Sequence, residues 1–320
     1  MNNITESIDK TLVSFIITCS NLSVKQVSDC LDSILHLSLR AAEREIIVVD
    51  DGSDESIIDK LNQYRDEIIY VRCRKSGLSA ARNLGLRVVS GEYVQFINGE
   101  DRLIPDAYEH CLDIVRYKSP DIVLFNSSDK ISRTASFYIP EPVDGAQYMR
   151  HNNLHATAWG YVFCQKILMD LRFTPGLINE DEEFTPQLLL RAEKVYSTDI
   201  VAYYYKKKSS HIMRNKDSRF LLKHLNDYEH IIFHLKELED TLPVADRQAL
   251  QRRVAQLTMD YIFKIIKLTR SSKQLNTRLK RLEDGGLLPL PDKKYTRKYS
   301  ILRHIIKSKI LRRCVSAVLK

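Results

Sequence analysis

The first half of the chain alternates short apolar runs with stretches whose apolar residues recur every three or four positions. Val13–Thr18, Glu45–Asp50, Ile68–Cys73, Tyr93–Ile97 and Asp121–Phe125 read as strands. Val24–Leu37, Glu55–Tyr64, Leu78–Val89 and Asp106–Tyr117 read as helices between them. This βα rhythm predicts an α/β fold, with a mostly parallel, Rossmann-like central sheet covered by helices on both faces. Ligands of such sheets bind beyond the carboxyl ends of the strands.

From Ser132 to about Arg214 the pattern turns into mixed short strands and helices, with a charged helix opening at Asn179–Phe184 and a tyrosine-rich strand over Ile200–Lys206. Beyond Asn215 the strand patterns stop, and long helical segments run to about Glu283, before the breaker Gly285–Pro291. The expected organisation is therefore a core over residues 1–214, with a nucleotide-binding half at about 12–130 and an acceptor-side half at 131–214, followed by a helical extension over 215–320.

Charge changes this picture only at one end. The 49 Lys and Arg against 41 Asp and Glu give a net charge of +8, but residues 293–320 hold ten of the basic residues and no acidic one. The folded body is close to neutral, which argues against a nucleic-acid-binding module. Within Tyr299–Lys320, Leu302, Ile305, Ile306, Ile310, Val315 and Val318 share one helical face, with Arg303, Lys307, Lys309, Arg312 and Arg313 among them. That is a basic amphipathic segment, suited either to an anionic membrane surface or to packing on its own domain. The N-terminal residues lack a signal-peptide pattern and no run approaches 18 apolar residues, so a cytoplasmic protein is expected, peripheral on the inner face of the plasma membrane if the tail binds lipid. The six cysteines have no zinc or disulfide spacing and read as reduced thiols.

Candidate chemistry collects where strands end. Ile46–Val49 runs into Asp50-Asp51-Gly52-Ser53, which places two carboxylates at the ligand edge of the sheet, although the same four residues are also an ordinary turn. The small-residue segment Ser76–Gly85 carries Arg82, whose guanidinium suits either a phosphate or a structural salt bridge. Tyr93–Ile97 runs into Asn98-Gly99-Glu100-Asp101, oxygen donors of the kind a hard divalent cation takes. Glu180, Asp181, Glu182 and Glu183 crowd one helix start. They read either as a favourable interaction with the helix dipole or as a general base whose pKa is raised by its neighbours.

In order and spacing, Val13–Ile17, Cys30–Ile34, the Val-Val-Asp-Asp-Gly-Ser run, Leu78–Gly85, Gly91–Asp101, Trp159-Gly160, Glu180–Phe184 and Tyr203–Tyr205 resemble the family 2 inverting glycosyltransferases of GT-A fold, in their bacterial polysaccharide-synthesis branch. The resemblance spans about residues 12–213. It implies transfer of a sugar from a nucleotide-diphosphate donor, a UDP-sugar in the first instance, to a hydroxyl of a glycan or lipid-linked glycan. Asp181 would be the catalytic base. Thr18, Asp50, Asp51, Arg82, Asn98, Gly99, Lys206 and Lys208 would serve the donor, and Trp159 and Glu180 the acceptor side. Glu100, Asp101 and His211 would hold a divalent cation, Mn²⁺ or Mg²⁺. His151 and His155 are further acceptor-side candidates, with ordinary packing or exposure as the competing reading.

The chain departs from the family pattern at three places. Asn98-Gly99-Glu100-Asp101 stands where Asp-x-Asp-Asp is usual, Thr18-Cys19-Ser20-Asn21 lacks the usual Pro and Tyr, and Lys75 replaces an Asn. The altered acidic motif supports an alternative expectation, a catalytically impaired sugar-nucleotide-binding or scaffold subunit of a polysaccharide assembly complex.

Overall fold

The computed structural model describes residues 10–130, 138–206 and 217–307. They form two compact units, the first from residues 10–130, 138–145 and 156–206, the second from 146–155 and 217–307.

The first unit is built on one eight-stranded sheet. Its strands are β1 (Val13–Cys19), β2 (Arg44–Asp51), β3 (Ile68–Cys73), β4 (Tyr93–Asn98), β5 (Arg102–Leu103), β6 (Ile122–Ser128), β7 (Tyr161–Cys164) and β8 (Val195–Tyr204), in the spatial order β3-β2-β1-β4-β7-β6-β8-β5. β3, β2, β1 and β4 pair in parallel, as do β6 and β8, whereas β7 runs antiparallel to both β4 and β6. Every residue of β1 is buried, because a central parallel strand is covered on both faces. The mostly parallel sheet agrees with the expectation from the apolar pattern. The tyrosine-rich run, expected over Ile200–Lys206, proves to be the end of a longer strand beginning at Val195, which stops at Tyr204.

Helices α1 (Val24–Leu35), α2 (Leu78–Gly85), α3 (Pro105–Lys118) and α5 (Asp181–Leu190) belong to this unit, whereas α4 (Gly145–His151) lies, but for its first residue, in the second. α1 opens with a capping box between Ser23 and Gln26, and α3 starts on Pro105 and ends on Ser119 in the left-handed conformation. Three expected helices come out shorter, α1 ending at Leu35 rather than Leu37. The segment after β2 is a kinked 3-10 run over Ile58–Tyr64, and α2 stops at Gly85 rather than Val89. Gly85 lets α2 lie close to β1, since a Cβ there would meet Ile16 Cγ2 at 2.4 Å.

In the second unit α6 (Ser218–Glu239), α7 (Val244–Thr269), α8 (Ser272–Asp284) and α9 (Arg297–Lys307) follow in sequence. Buried Arg278 of α8 donates to Glu229 Oε2 at 2.8 Å, to the Tyr261 hydroxyl at 2.6 Å and to Asn226 Oδ1 at 2.8 Å, tying three helices together. α9 is the described part of the basic amphipathic segment. Its Leu302 and Ile306 are buried, so this turn of the apolar face is used inside the protein. Residues 308–320, with the rest of that face, lie outside the described residues. Among the described residues no helix is long and apolar enough to cross a membrane, and the five cysteines there are free. Cys314 lies outside them.

Candidate functional site

The carboxyl ends of β1, β2 and β4 open on a cavity of about 320 Å³ lined by Thr18, Cys19, Asp51, Asn98 and Glu100, with Leu78 and Ala81 of α2 on another wall and Ser20 and Leu22 completing it. The parallel register explains the convergence, because Thr18 aligns with Val49 of β2 and with Asn98 of β4.

The two acids at the end of β2 have different work. Asp50 is fully buried and faces its own turn. Its Oδ1 accepts from Ser53 N at 2.9 Å and Ser53 Oγ at 2.6 Å, and its Oδ2 accepts from the Tyr70 hydroxyl at 2.6 Å. Burial works to raise the Asp50 pKa, but the Ser53 and Tyr70 hydrogen bonds and the charge of Arg72 outweigh it and hold the pKa below the ordinary carboxylate value. Asp50 therefore shapes the pocket from behind. Asp51 reaches the cavity, held by the backbone that opens α2: Ser76 N donates to Oδ1 at 2.6 Å and Gly77 N to Oδ2 at 3.0 Å. The chain can pass between these groups because Gly52 adopts a φ of +60°. A Cβ there would lie 2.4 Å from Lys75 N.

At the end of β4, Gly99 N donates to Thr18 O at 2.9 Å, and Glu100 faces the cavity. Asp101, expected beside Glu100 as a cation ligand, is turned elsewhere. Its Oδ2 accepts from Asn98 Nδ2 at 2.9 Å and from the Tyr203 hydroxyl at 3.0 Å, and its Oδ1 accepts from Lys206 N at 3.0 Å. It is buried, is not among the residues lining the cavity, and has a pKa raised by that burial against those hydrogen bonds. Asn98 thus serves as the neutral donor that satisfies Asp101, and Asp101 joins β4 to the end of β8. Trp159 belongs to the same support. Its ring stacks on Tyr203 with centroids 4.5 Å apart, and its carbonyl accepts from Gln95 Nε2. Lys206 enters through its backbone and has an exposed side chain, whereas Lys208 and His211 lie outside the described residues.

The acid cluster is decided by Arg82. The Glu180 side chain makes no capping hydrogen bond to α5, and Asn179 before it takes the left-handed conformation at φ +63°. Arg82 lies one residue beyond Ala81 on the wall of the cavity. It donates from Nη1 to Glu180 Oε1 at 2.7 Å and to Asp181 Oδ1 at 2.5 Å. Its guanidinium also lies over the rings of Phe173 and Phe96, at 5.1 and 5.7 Å from their centroids. Asp181 Oδ2 accepts from Ala158 N at 3.1 Å. Burial, then the charge of Asp181, raise the Glu180 pKa, and Arg82 opposes them. Raised to about 7, Glu180 holds its proton to higher pH than an ordinary carboxyl group, beside a more exposed carboxylate whose direction is fixed from two sides.

Cys19, Ser20, Leu22, Leu78 and Ala81 are lining residues that the sequence reading did not single out. The strand-end rule, applied one residue past Thr18, reaches Cys19, whose thiol is pushed up to about 12 by burial and the charges of Asp50, Glu100 and Asp51. His151 belongs to the second unit, and His155 is exposed. Among the described residues no group of three or more His, Cys, Asp and Glu could hold a metal ion. The donor set at the cavity is Glu100 with the amide of Asn98. That suits a cation only if the remaining ligands come from a bound diphosphate, the arrangement Mg²⁺ commonly adopts with phosphate substrates.

The model of the family described as Glycosyl transferase family 2 matches residues 14–168. The glycosyltransferase GlyA of Streptococcus pneumoniae is 30% identical over 207 residues, covering 58% of this chain and 29% of that protein. The poly(ribitol-phosphate) beta-glucosyltransferase of Bacillus spizizenii is 26% identical over 202 residues, covering 60% of this chain and 32% of that one. The chain therefore spans about a third of the length of either relative. Among solved structures, TarS of S. aureus in complex with UDP-GlcNAc superposes with a TM-score of 0.62 at 18% identity, over 86% of this chain and 89% of that one. At that identity the likeness concerns the fold.

Proposed function

Residues 14–168 belong to glycosyl transferase family 2, and from that premise we propose that the protein is an inverting glycosyltransferase acting on a nucleotide-diphosphate sugar, with a UDP-sugar as donor. The acceptor is a hydroxyl of a glycan or lipid-linked glycan in surface polysaccharide synthesis. One observation carries the reading: α2 lines the cavity with Leu78 and Ala81, and from its next residue, Arg82, holds Asp181 in place. A relative named as a poly(ribitol-phosphate) glucosyltransferase and a fold neighbour that binds UDP-GlcNAc support the substrate class.

In this reading the nucleotide lies between Thr18 and Asp51. Asp51 Oδ2 accepts from Gly77 N and has a further lone pair for the N–H of a pyrimidine. The acceptor oxygen attacks the anomeric carbon on the face opposite the diphosphate. As the new C–O bond forms, the bond to the leaving phosphate oxygen breaks and that oxygen takes the electron pair. Asp181 removes the acceptor proton, and Arg82 and Ala158 N keep its carboxylate aimed. A proton held on Glu180, whose pKa is raised to about 7, would leave more of the Arg82 charge to Asp181. A divalent cation, Mn²⁺ or Mg²⁺, held by Glu100 and the donor diphosphate, would neutralise the leaving group. Lys206, Lys208 and His211 are assigned to the donor's phosphate side, Trp159 to support of the acceptor side.

We place the protein in the cytoplasm, where nucleotide sugars are made, with the basic amphipathic segment Tyr299–Lys320 as its contact with an anionic membrane. Nucleic acid is not a partner. The second reading is a sugar-nucleotide-binding subunit without turnover, favoured by Asn98 standing in the acidic motif and by the engagement of Asp101 away from the cavity. A panel of nucleotide sugars, assayed for hydrolysis and transfer with Mn²⁺, Mg²⁺ or EDTA, separates the two. Turnover abolished by Asp181→Asn establishes the transferase, whereas donor binding without turnover in the native protein establishes the subunit.

A further inference from the structure

The helical unit holds a cleft of about 660 Å³, larger than the cavity at the strand ends and formed wholly by residues of that unit. Its charge is one-sided. Arg150, Arg252 and Lys293 line it, and among the described residues none of the three has a carboxylate within ion-pair distance. Among the described residues the one acid lining it, Glu239, is already matched by Lys236 at 2.7 Å. Arg252 is oriented rather than loose. It donates to the Arg150 carbonyl and, at 3.1 Å, to Asn153 Oδ1, and its guanidinium lies 5.1 Å from the centre of the Tyr295 ring. Its Nε is buried without a hydrogen-bond partner. Burial pulls the Arg252 pKa below its usual value, and only the Tyr295 phenol acts against it.

A part-buried guanidinium without a counter-ion costs free energy, and an anionic ligand would offset that cost. The rest of the wall indicates the remainder of the ligand. Gln248 and Gln251 offer amide donors and acceptors, and Tyr295 offers an aromatic face with a hydroxyl. Such a lining matches a hydroxyl-rich molecule better than an apolar one, and the volume falls in the range of about 300–1,000 Å³ usual for small-molecule sites.

We propose that this cleft is a second binding site, separate from the donor cavity, for a phosphate-bearing carbohydrate, with Arg150, Arg252 and Lys293 taking the phosphate and Gln248, Gln251 and Tyr295 the sugar. Calorimetric titration of the full chain with glucose 6-phosphate, glucose and inorganic phosphate tests it. The expected result is binding of glucose 6-phosphate at least tenfold tighter than either of the others. Lys293→Glu, at an exposed position, is expected to weaken that binding at least tenfold while leaving donor hydrolysis unchanged, and Arg252→Gln to do the same to binding. Asp51→Asn is expected to leave the affinity for glucose 6-phosphate as it is, which separates this site from the donor cavity. Equal binding of inorganic phosphate, loss of binding in Asp51→Asn with none in Lys293→Glu, or binding to phosphatidylglycerol vesicles with none to the soluble sugar phosphate would each overturn the proposal.

Discussion

Arg82 and Asp181 stand 99 positions apart in the sequence, yet Nη1 of one lies 2.5 Å from Oδ1 of the other. The arginine is almost wholly buried, so the pair depends on its guanidinium having two carboxylates in reach. It joins the helix that lines the cavity to the helix that carries the proposed base.

Removing Arg82 should cost both stability and turnover. Arg82→Ala removes the cation shared by buried Glu180 and part-buried Asp181, a change worth roughly 3–5 kcal/mol of stability. Arg82→Lys retains the charge but not the planar fork, and is expected to fold while losing kcat about a hundredfold. Denaturant unfolding and steady-state kinetics on the two variants check this.

Asp181→Asn should preserve the fold and donor affinity while lowering kcat by about 10²–10⁴-fold, the usual share of a general base. A parallel fall in donor affinity would show that Asp181 binds rather than reacts.

Glu180 sets a pH dependence of known sign. Its pKa is higher in the folded protein than in the unfolded chain, so folding costs nothing at this group below the unfolded value. The cost grows as pH rises from that value towards the folded pKa, about 7, and is constant above it. Glu180→Gln should therefore gain stability relative to the native protein between pH 5 and pH 8, on the order of a few kcal/mol at most. Melting temperatures of both proteins across that range report it.

Gly52→Ala should loosen the Asp51 cradle. The new methyl group meets Lys75 N in a backbone conformation unfavourable to any L side chain. A loss of about 1–3 kcal/mol in stability and a weakened nucleotide Kd are expected by thermal unfolding and by nucleotide titration.

Glu100→Gln tests the cation. Loss of Glu100, which with Asp51 is one of the two carboxylates lining the cavity among the described residues, should lower the apparent affinity for Mn²⁺ or Mg²⁺ by about tenfold or more, measured as the cation concentration for half-maximal turnover. Asp101→Asn should instead act chiefly on stability, because its oxygens hold Asn98, Tyr203 and Lys206 together.

The apolar runs at β1, β2, β3 and β4 and the helical periodicity between them were sufficient to determine a mostly parallel sheet whose strand ends meet at Thr18, Asp51 and Asn98, because strand period and burial on both faces are local properties. The altered motif at Asn98–Asp101 was equally visible. What each acid does was not, since a carboxylate's role depends on which donors surround it, and these come from remote positions. Asp50 faces Tyr70, Asp51 faces the amides of Ser76 and Gly77, and Asp101 faces Tyr203 and Lys206. From sequence alone Glu180 and Asp181 read either as partners of the helix dipole or as a general base. The packing of α2 beside β1 brings Arg82 Nη1 to both carboxyl groups, a contact no local pattern shows. The cleft of the helical unit depended wholly on tertiary structure, because Arg150 and Arg252 have no local pattern that unites them until the Arg252 guanidinium bonds the Arg150 carbonyl.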